Sequence, residues 1–179
     1  MNPPSATAER SAILRKFRGV LGLFIFLLIM SGITAFPLQR ELGVVTGLRG
    51  LERASAADAG NSFDRWILTV RDGLRDSYAQ HPWLAYGTDW LAFAHIVIAI
   101  FFIGPLLDPV RNIWVLQAGL IACVLVIPLA LICGPIREIP FGWQLIDCSF
   151  GVIGAIPLCY CLRLARALEN KQARQTFRG

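Results

Sequence analysis

Few side chains of this chain can do chemistry in an apolar setting. Asp89, His95 and Asp147 lie inside or at the edge of long uncharged runs, with Gln117 and Gln144 as polar company and Arg137-Glu138 between two such runs. An ionisable group in hydrocarbon is costly enough that a functional role is the first expectation. A carboxylate beside an arginine can orient the guanidinium toward a phosphate or carboxylate, and an imidazole deeper in the same place can add a hydrogen bond. Asp89 and His95 are six residues apart, about 9 Å and about 240° along a helix, so one straight helix does not present them together. Asp147, Gly151 and Gly154 recur at i, i+4 and i+7, which sets a carboxylate above a stripe without side chains. Gly151 and Gly154 are read as a helix-packing groove, with a lipid-chain groove as the alternative.

Each of these residues also has a plainer reading. Asp147 can pair with Arg137 across a short loop, which would relieve its burial cost. His95 can hydrogen-bond a neighbouring span. No metal site is expected, because His95, Asp89, Glu138 and Asp147 lack diagnostic ligand spacing. No cofactor is expected either: a bis-histidine haem needs a second intramembrane His, and His81 lies outside the apolar runs. The five cysteines, Cys123, Cys133, Cys148, Cys159 and Cys161, fall in or at the ends of the last two runs. There they act as small hydrophobes, and the odd count without an external pair argues against a structural disulfide.

The elements that position these groups follow from composition and charge. Of the 179 residues 55% are hydrophobic and only 16% charged, against roughly a quarter charged in soluble domains. The chain is read as an integral membrane protein, all-α, a four-helix bundle with an additional amphipathic extramembrane helix. Runs between charged residues give spans at 19–36, 87–107, 112–135 and 141–162, each near the 17 to 25 residues needed to cross about 30 Å of hydrocarbon. The last places Asp147 inside the span, because only a short uncharged run separates it from Arg163. The first run is read as an anchor rather than a cleaved signal: it is longer than a usual signal core, and no small residue stands three before Ala35. Pro128 and Pro157 are expected to bend the last two spans. The turn from Asp108 to Asn112 lets Asp108 cap or pair with Arg111.

Residues 37–86 form the sizeable extramembrane segment. In 61–80, Phe63, Trp66, Ile67, Val70, Leu74 and Tyr78 recur at helical steps, with Asn61 or Ser62 as N-cap and His81-Pro82 as stop. Such a helix is expected to lie on the membrane surface or to cap the bundle. The Ala- and Gly-rich stretch 47–60 reads as a flexible link with some helical tendency. With both termini on one side, the basic tails 1–18 and 163–179 and the Asp108 turn hold ten basic against three acidic side chains, while the other side is balanced, seven against seven. The positive-inside rule then puts both termini in the cytoplasm, which for a bacterial chain means the inner membrane. The +5 net charge is thus accounted for by topology, and no nucleic-acid partner is expected.

Thr88-Asp89-Trp90 with Ala94-His95, the turn Asp108-Pro109-Val110-Arg111-Asn112-Ile113-Trp114, and Leu145-Ile146-Asp147-Cys148-Ser149-Phe150-Gly151 together resemble a group of small uncharacterised bacterial membrane proteins. Spaced single residues over about half of the chain also resemble VanZ-like proteins, multi-span membrane proteins linked to glycopeptide-antibiotic resistance. In that likeness Asp89 and His95 fill an Asp-His motif at the start of one span, and Arg137, Asp147 and Gly154 fill a later stripe. The Asp-to-His spacing here is longer, and Gly151 stands where the family has Asn.

The leading expectation is a non-enzymatic envelope or lipid-associated protein whose outward polar cluster, Asp89, His95, Arg137, Glu138 and Asp147, binds a lipid headgroup or a partner chain. One alternative is a lipid-modifying enzyme with His95 and Asp147 as acid and base, against which stands the lack of a nucleophile or metal motif. Another is an accessory subunit of a larger membrane complex. Membrane lipids, and other membrane subunits in the last case, are the expected partners.

Overall fold

A computed structural model describes residues 6–176, with side chains from 8 to 173. The outermost parts of both expected tails, residues 1–5 and 177–179, and the side chains of Arg174 and Arg178 lie outside the described residues. Within them the chain is all-α, with no strand. The helices are α1 (Ala6–Ala35), α2 (Leu38–Leu48), α3 (Ser62–Gln80), α4 (Ala85–Phe101), α5 (Ile103–Leu107), α6 (Ile113–Ile136) and α7 (Phe141–Thr176), with single 3-10 turns at Ala56–Asp58 and Pro82–Leu84. Ala8–Ala35, Pro82–Leu107, Ile113–Ile136 and Phe141–Ala173 are long and apolar enough to cross a membrane. Helices suit that setting because they satisfy every backbone polar group within one segment. Lipid in turn accounts for open leucines and isoleucines such as Leu125, Leu129 and Ile132 on α6.

The described chain divides into two compact units, with boundaries inside α1 and α4. One holds α1 as far as Leu27 and everything from Ala99 onward. Its centre is the antiparallel α6–α7 hairpin, whose close approach depends on glycine. A Cβ on Gly151 would collide with the Cys123 carbonyl, and one on Gly154 would press on Cys123 Sγ at 3.2 Å. Gly119 leaves room for the Phe102 ring, whose Cζ would stand 2.7 Å from a Cβ there. Phe102 is buried and meets Phe24 edge-on, with centroids 5.0 Å apart.

Phe102 also marks where the second span breaks. Pro105 has no N–H to give the Phe101 carbonyl and its ring crowds that oxygen, so α4 stops at Phe101 and α5 begins at Ile103. The bends expected at Pro128 and Pro157 do not interrupt the helices: α6 and α7 run through both prolines. In the turn after α5, the Asp108 carboxylate accepts the Arg111 backbone N–H at 3.1 Å, and Asn112 Nδ2 donates to the Gly104 and Asp108 carbonyls.

Both basic flanks are helical. Leu14, Phe17, Leu21 and Phe24 on α1 and Leu158, Cys161, Ala165 and Leu168 on α7 each step by three, four and three, the spacing of a coiled-coil seam. The contacts run antiparallel, with Cys161 Sγ against the Phe17 carbonyl and Lys171 paired with Glu9. Phe17, Leu21, Cys161, Ala165 and Leu168 are buried.

The other unit, Leu28–Ile98, corrects the reading of the extramembrane segment. The stretch read as a flexible link is ordered, because Arg71 closes on it from α3. Its guanidinium donates to the carbonyls of Leu51, Glu52 and Ala54 at 3.1, 3.3 and 2.8 Å. Ser55 and Asp58 then cap the 3-10 turn reciprocally. A helix absent from the sequence reading, α2, follows α1 almost at once, and Gln39 Nε2 bonds the Leu74 carbonyl of α3 at 3.1 Å. The apolar stripe of α3 is partly used inside this unit: α3 packs on α2 and on both 3-10 turns, with Ile67 and Leu68 buried.

Candidate functional site

The α6–α7 turn is built by a helix C-cap of Schellman type. Ile139 N–H reaches back to the Gly134 carbonyl at 3.0 Å and Glu138 N–H to the Pro135 carbonyl at 3.1 Å. The residue after the cap must be left-handed, a place usually held by glycine, and here Glu138 takes it with φ 57°. Among the described residues it is the one non-glycine with positive φ. Gln144 locks the turn from the far side. It is buried, donates Nε2–H to the Ile139 carbonyl at 2.7 Å, and packs where a Cβ on Gly134 would have to be, 2.6 Å from Gln144 Cγ.

This lock decides where the charged groups stand. Arg137, the cap residue, and Glu138 are exposed at the tip of the hairpin. Asp147 is exposed on α7, inside the stretch able to cross a membrane. Gln144 touches Gly134, three residues before Arg137, and Asp147 lies three residues past Gln144 in the opposite direction. Arg137 and Asp147 are therefore about 9 Å apart along the hairpin by helical rise. The expected Arg137–Asp147 ion pair is not formed, and among the described residues neither has an ion-pair partner. The hairpin thus presents an unneutralised guanidinium above an unneutralised carboxylate on an apolar stem. Such a guanidinium can take a phosphate or carboxylate in two parallel hydrogen bonds.

Asp89 and His95 belong to the other unit, both half-buried on α4. His95 does not bond a neighbouring span: its Nδ1 lies 2.8 Å from the Leu91 carbonyl on its own helix. A ring nitrogen facing a carbonyl must carry the proton, so Nδ1 is the donor of this bond. His95 Cβ sits against Gly32, where an added Cβ would lie 3.0 Å away and 2.8 Å from the Ala92 carbonyl. Thr88 Oγ1 donates to the Ala85 carbonyl at 2.7 Å. Beside Asp89 runs an exposed aromatic stripe that the sequence reading passed over: Tyr86 and Trp90, then Trp90 and Phe93, stack edge-on with centroids 5.9 Å apart. Its i, i+4, i+7 spacing was the available signal, and amphipathic aromatics of this kind gather at membrane–water interfaces.

Several charges of the extramembrane segment are used internally instead. Asp64 is buried, bonded by Arg49 and by Asn61 Nδ2 at 2.7 Å, while its own N–H is capped by Asn61 Oδ1 at 2.8 Å. The Arg49 hydrogen bond holds the Asp64 carboxyl below its ordinary range, against the upward push of burial, with help from Asn61. Asp58 is held low by the Ser55 hydroxyl and then by the Ser55 backbone N–H. Among the described residues no three His, Cys, Asp or Glu side chains converge as a metal site would require. The chain matches no protein-family model, no curated protein and no solved structure.

Proposed function

We propose that the chain is a multi-pass protein of a bacterial cytoplasmic membrane, with both termini in the cytoplasm, that binds an anionic lipid headgroup at the outward tip of its α6–α7 hairpin. The observation that carries this reading is the exposed Arg137, free of any ion pair among the described residues, held at the tip beside left-handed Glu138. Arg137 neutralises the headgroup phosphate, while Glu138 beside it selects for hydroxyl or amine groups on the same headgroup. Asp147 adds support, because a carboxylate within an apolar span is retained at a cost that a bound ligand offsets. Asp89 and His95 form a second polar group, on α4, at the level marked by Tyr86 and Trp90.

Native mass spectrometry of gently solubilised protein tests the reading, with wild type beside Arg137→Gln and Asp147→Asn. The expected result is a co-purifying lipid whose occupancy falls in both variants at unchanged expression. A bare monomer, or a co-purifying protein chain indifferent to both substitutions, would sink it and favour an accessory subunit.

A further inference from the structure

The two ends of the α6–α7 unit treat charge differently from the extramembrane segment. Four of the five ion pairs between described residues join side chains of residues 49–76. The basic flanks hold the fifth, Lys171 with Glu9, and leave the rest open. Arg10, Arg15, Lys16, Arg111, Arg163 and Arg166 are all exposed and have no ion-pair partner among the described residues. The antiparallel seam from Phe24 to Glu9 on α1 and from Gly154 to Lys171 on α7 makes the flanks one two-helix element rather than two separate tails. Gly119 lies beside Leu158, so the first residue of α6, Ile113, stands near Arg163 or Leu164 by the same antiparallel register. Past that level α1 and α7 continue as a pair.

Arg18 and Arg163 are the first charges beyond the uncharged runs. Arg15, Lys16 and Arg166 follow within about 5 Å of axial rise, well inside the Debye length of about 8 to 10 Å near physiological salt. Arg18 Nε already holds the Leu106 carbonyl at 3.3 Å, which ties α1 to the last turn of α5, just before the turn carrying Arg111. Buried Phe17 and Cys161 meet between the two helices, and the cations stand exposed around them. We infer that this paired basic collar is a binding surface for anionic phospholipid at the end of the spans opposite the α6–α7 turn. The partner is lipid phosphate rather than an acidic protein, because the cations gather at headgroup depth on helices that rise straight out of the apolar stretches.

The test reconstitutes the whole protein in bilayer discs of equal phosphatidylcholine and phosphatidylglycerol, then counts retained lipids by native mass spectrometry. Wild type should retain phosphatidylglycerol above its share of the bilayer. Replacing Arg15, Lys16, Arg163 and Arg166 together by Gln should weaken retention by about fivefold per charge removed. Arg15→Lys with Arg163→Lys and Arg166→Lys should keep it. Wild type alone should lose it near 1 M salt, where the Debye length falls to about 3 Å, which decides the matter even if the Gln variant does not fold. The same comparison is repeated in an Arg137→Gln background, which removes the lipid proposed at the hairpin tip, so the collar's own retention is read alone and its failure is separable from failure at the tip. No enrichment in wild type, enrichment that survives both the Gln substitutions and high salt, or capture of an acidic protein without enrichment would each overturn the inference.

Discussion

Glu138 occupies a backbone conformation in which an L-residue other than Asn or Asp is strained by roughly 1–2 kcal/mol. Glycine would remove that strain, although its freer unfolded state returns part of the gain. Glu138→Gly should therefore stabilise the protein by on the order of 0.5–1 kcal/mol, measured as a raised thermal midpoint in detergent, while lipid retention at the tip falls. A stability loss would show that the Glu138 side chain supports the turn and remove the strain argument for its role. The candidate residues were legible in the sequence because charge inside an apolar run is conspicuous whatever the fold. Their partners were not. Arg137 and Asp147 are ten residues apart, close enough to suggest a pair, and only the register set by Gln144 on Gly134 shows the offset that separates them. The His95 bond to Leu91 was equally hidden, since a helical i−4 carbonyl is available to many side chains and sequence does not say which takes it.

Helices meet in this chain through glycine, and two glycines about two and a half turns apart on α7 make opposite predictions. At Gly151 a Cβ meets the Cys123 carbonyl, part of a backbone that cannot swing aside, so Gly151→Ala should force the hairpin apart at a cost of roughly 1–3 kcal/mol. Gly142 has nothing within 4 Å, so Gly142→Ala should be neutral or stabilising by up to about 1 kcal/mol through helix propensity. Thermal denaturation of the two variants side by side separates them; equal effects would mean that α6 and α7 do not pack as closely as described. The extramembrane element responds to acid instead. Asp64 and Asp58 both have carboxyl pKa values below the ordinary 3.8 in the folded state. A depressed folded pKa contributes stability that is fully present above the unfolded value and is lost as pH falls through the folded one. Hydrogen-exchange protection of the α3 amides, corrected for the intrinsic pH dependence of exchange, should thus be flat from neutral pH down to about 5 and fall below about 4, and Asp64→Asn should abolish much of that dependence. The α3 helix itself was readable from its period, and Asn61 from its capping chemistry. The ordered link before it was not, because its order is imposed by Arg71 from a separate helix. The three-four-three spacing in the basic flanks was present in the letters beside their charge.

At the scale of the whole molecule the four apolar stretches were the most legible feature, since a run without charge needs no partner to be recognised. The charge distribution predicts an orientation, and orientation governs which leaflet each binding surface meets. In the sequence, ten basic residues against three acidic ones fall before the first apolar run, after the last one and in the Asp108 turn, while the other connecting segments are balanced. By the positive-inside rule a reporter active only in the cytoplasm should work when fused after α7 and fail when inserted in the α2–α3 link near Gly60. That insertion site is open, with nothing within 4 Å of a Cβ on Gly60. The outcome carries to both proposals. If the reporters agree with the rule, Arg137 meets the outer leaflet and the basic collar the inner one, whose anionic lipids give it a standing source of phosphate. If they are reversed, the collar faces outward and the hairpin tip faces the cytoplasm; each surface keeps its chemistry but loses the setting that makes it useful. A mixed result, with either fusion active in both positions, would mean that the charge difference does not fix orientation, and the collar's cations would then need a binding partner to account for their clustering.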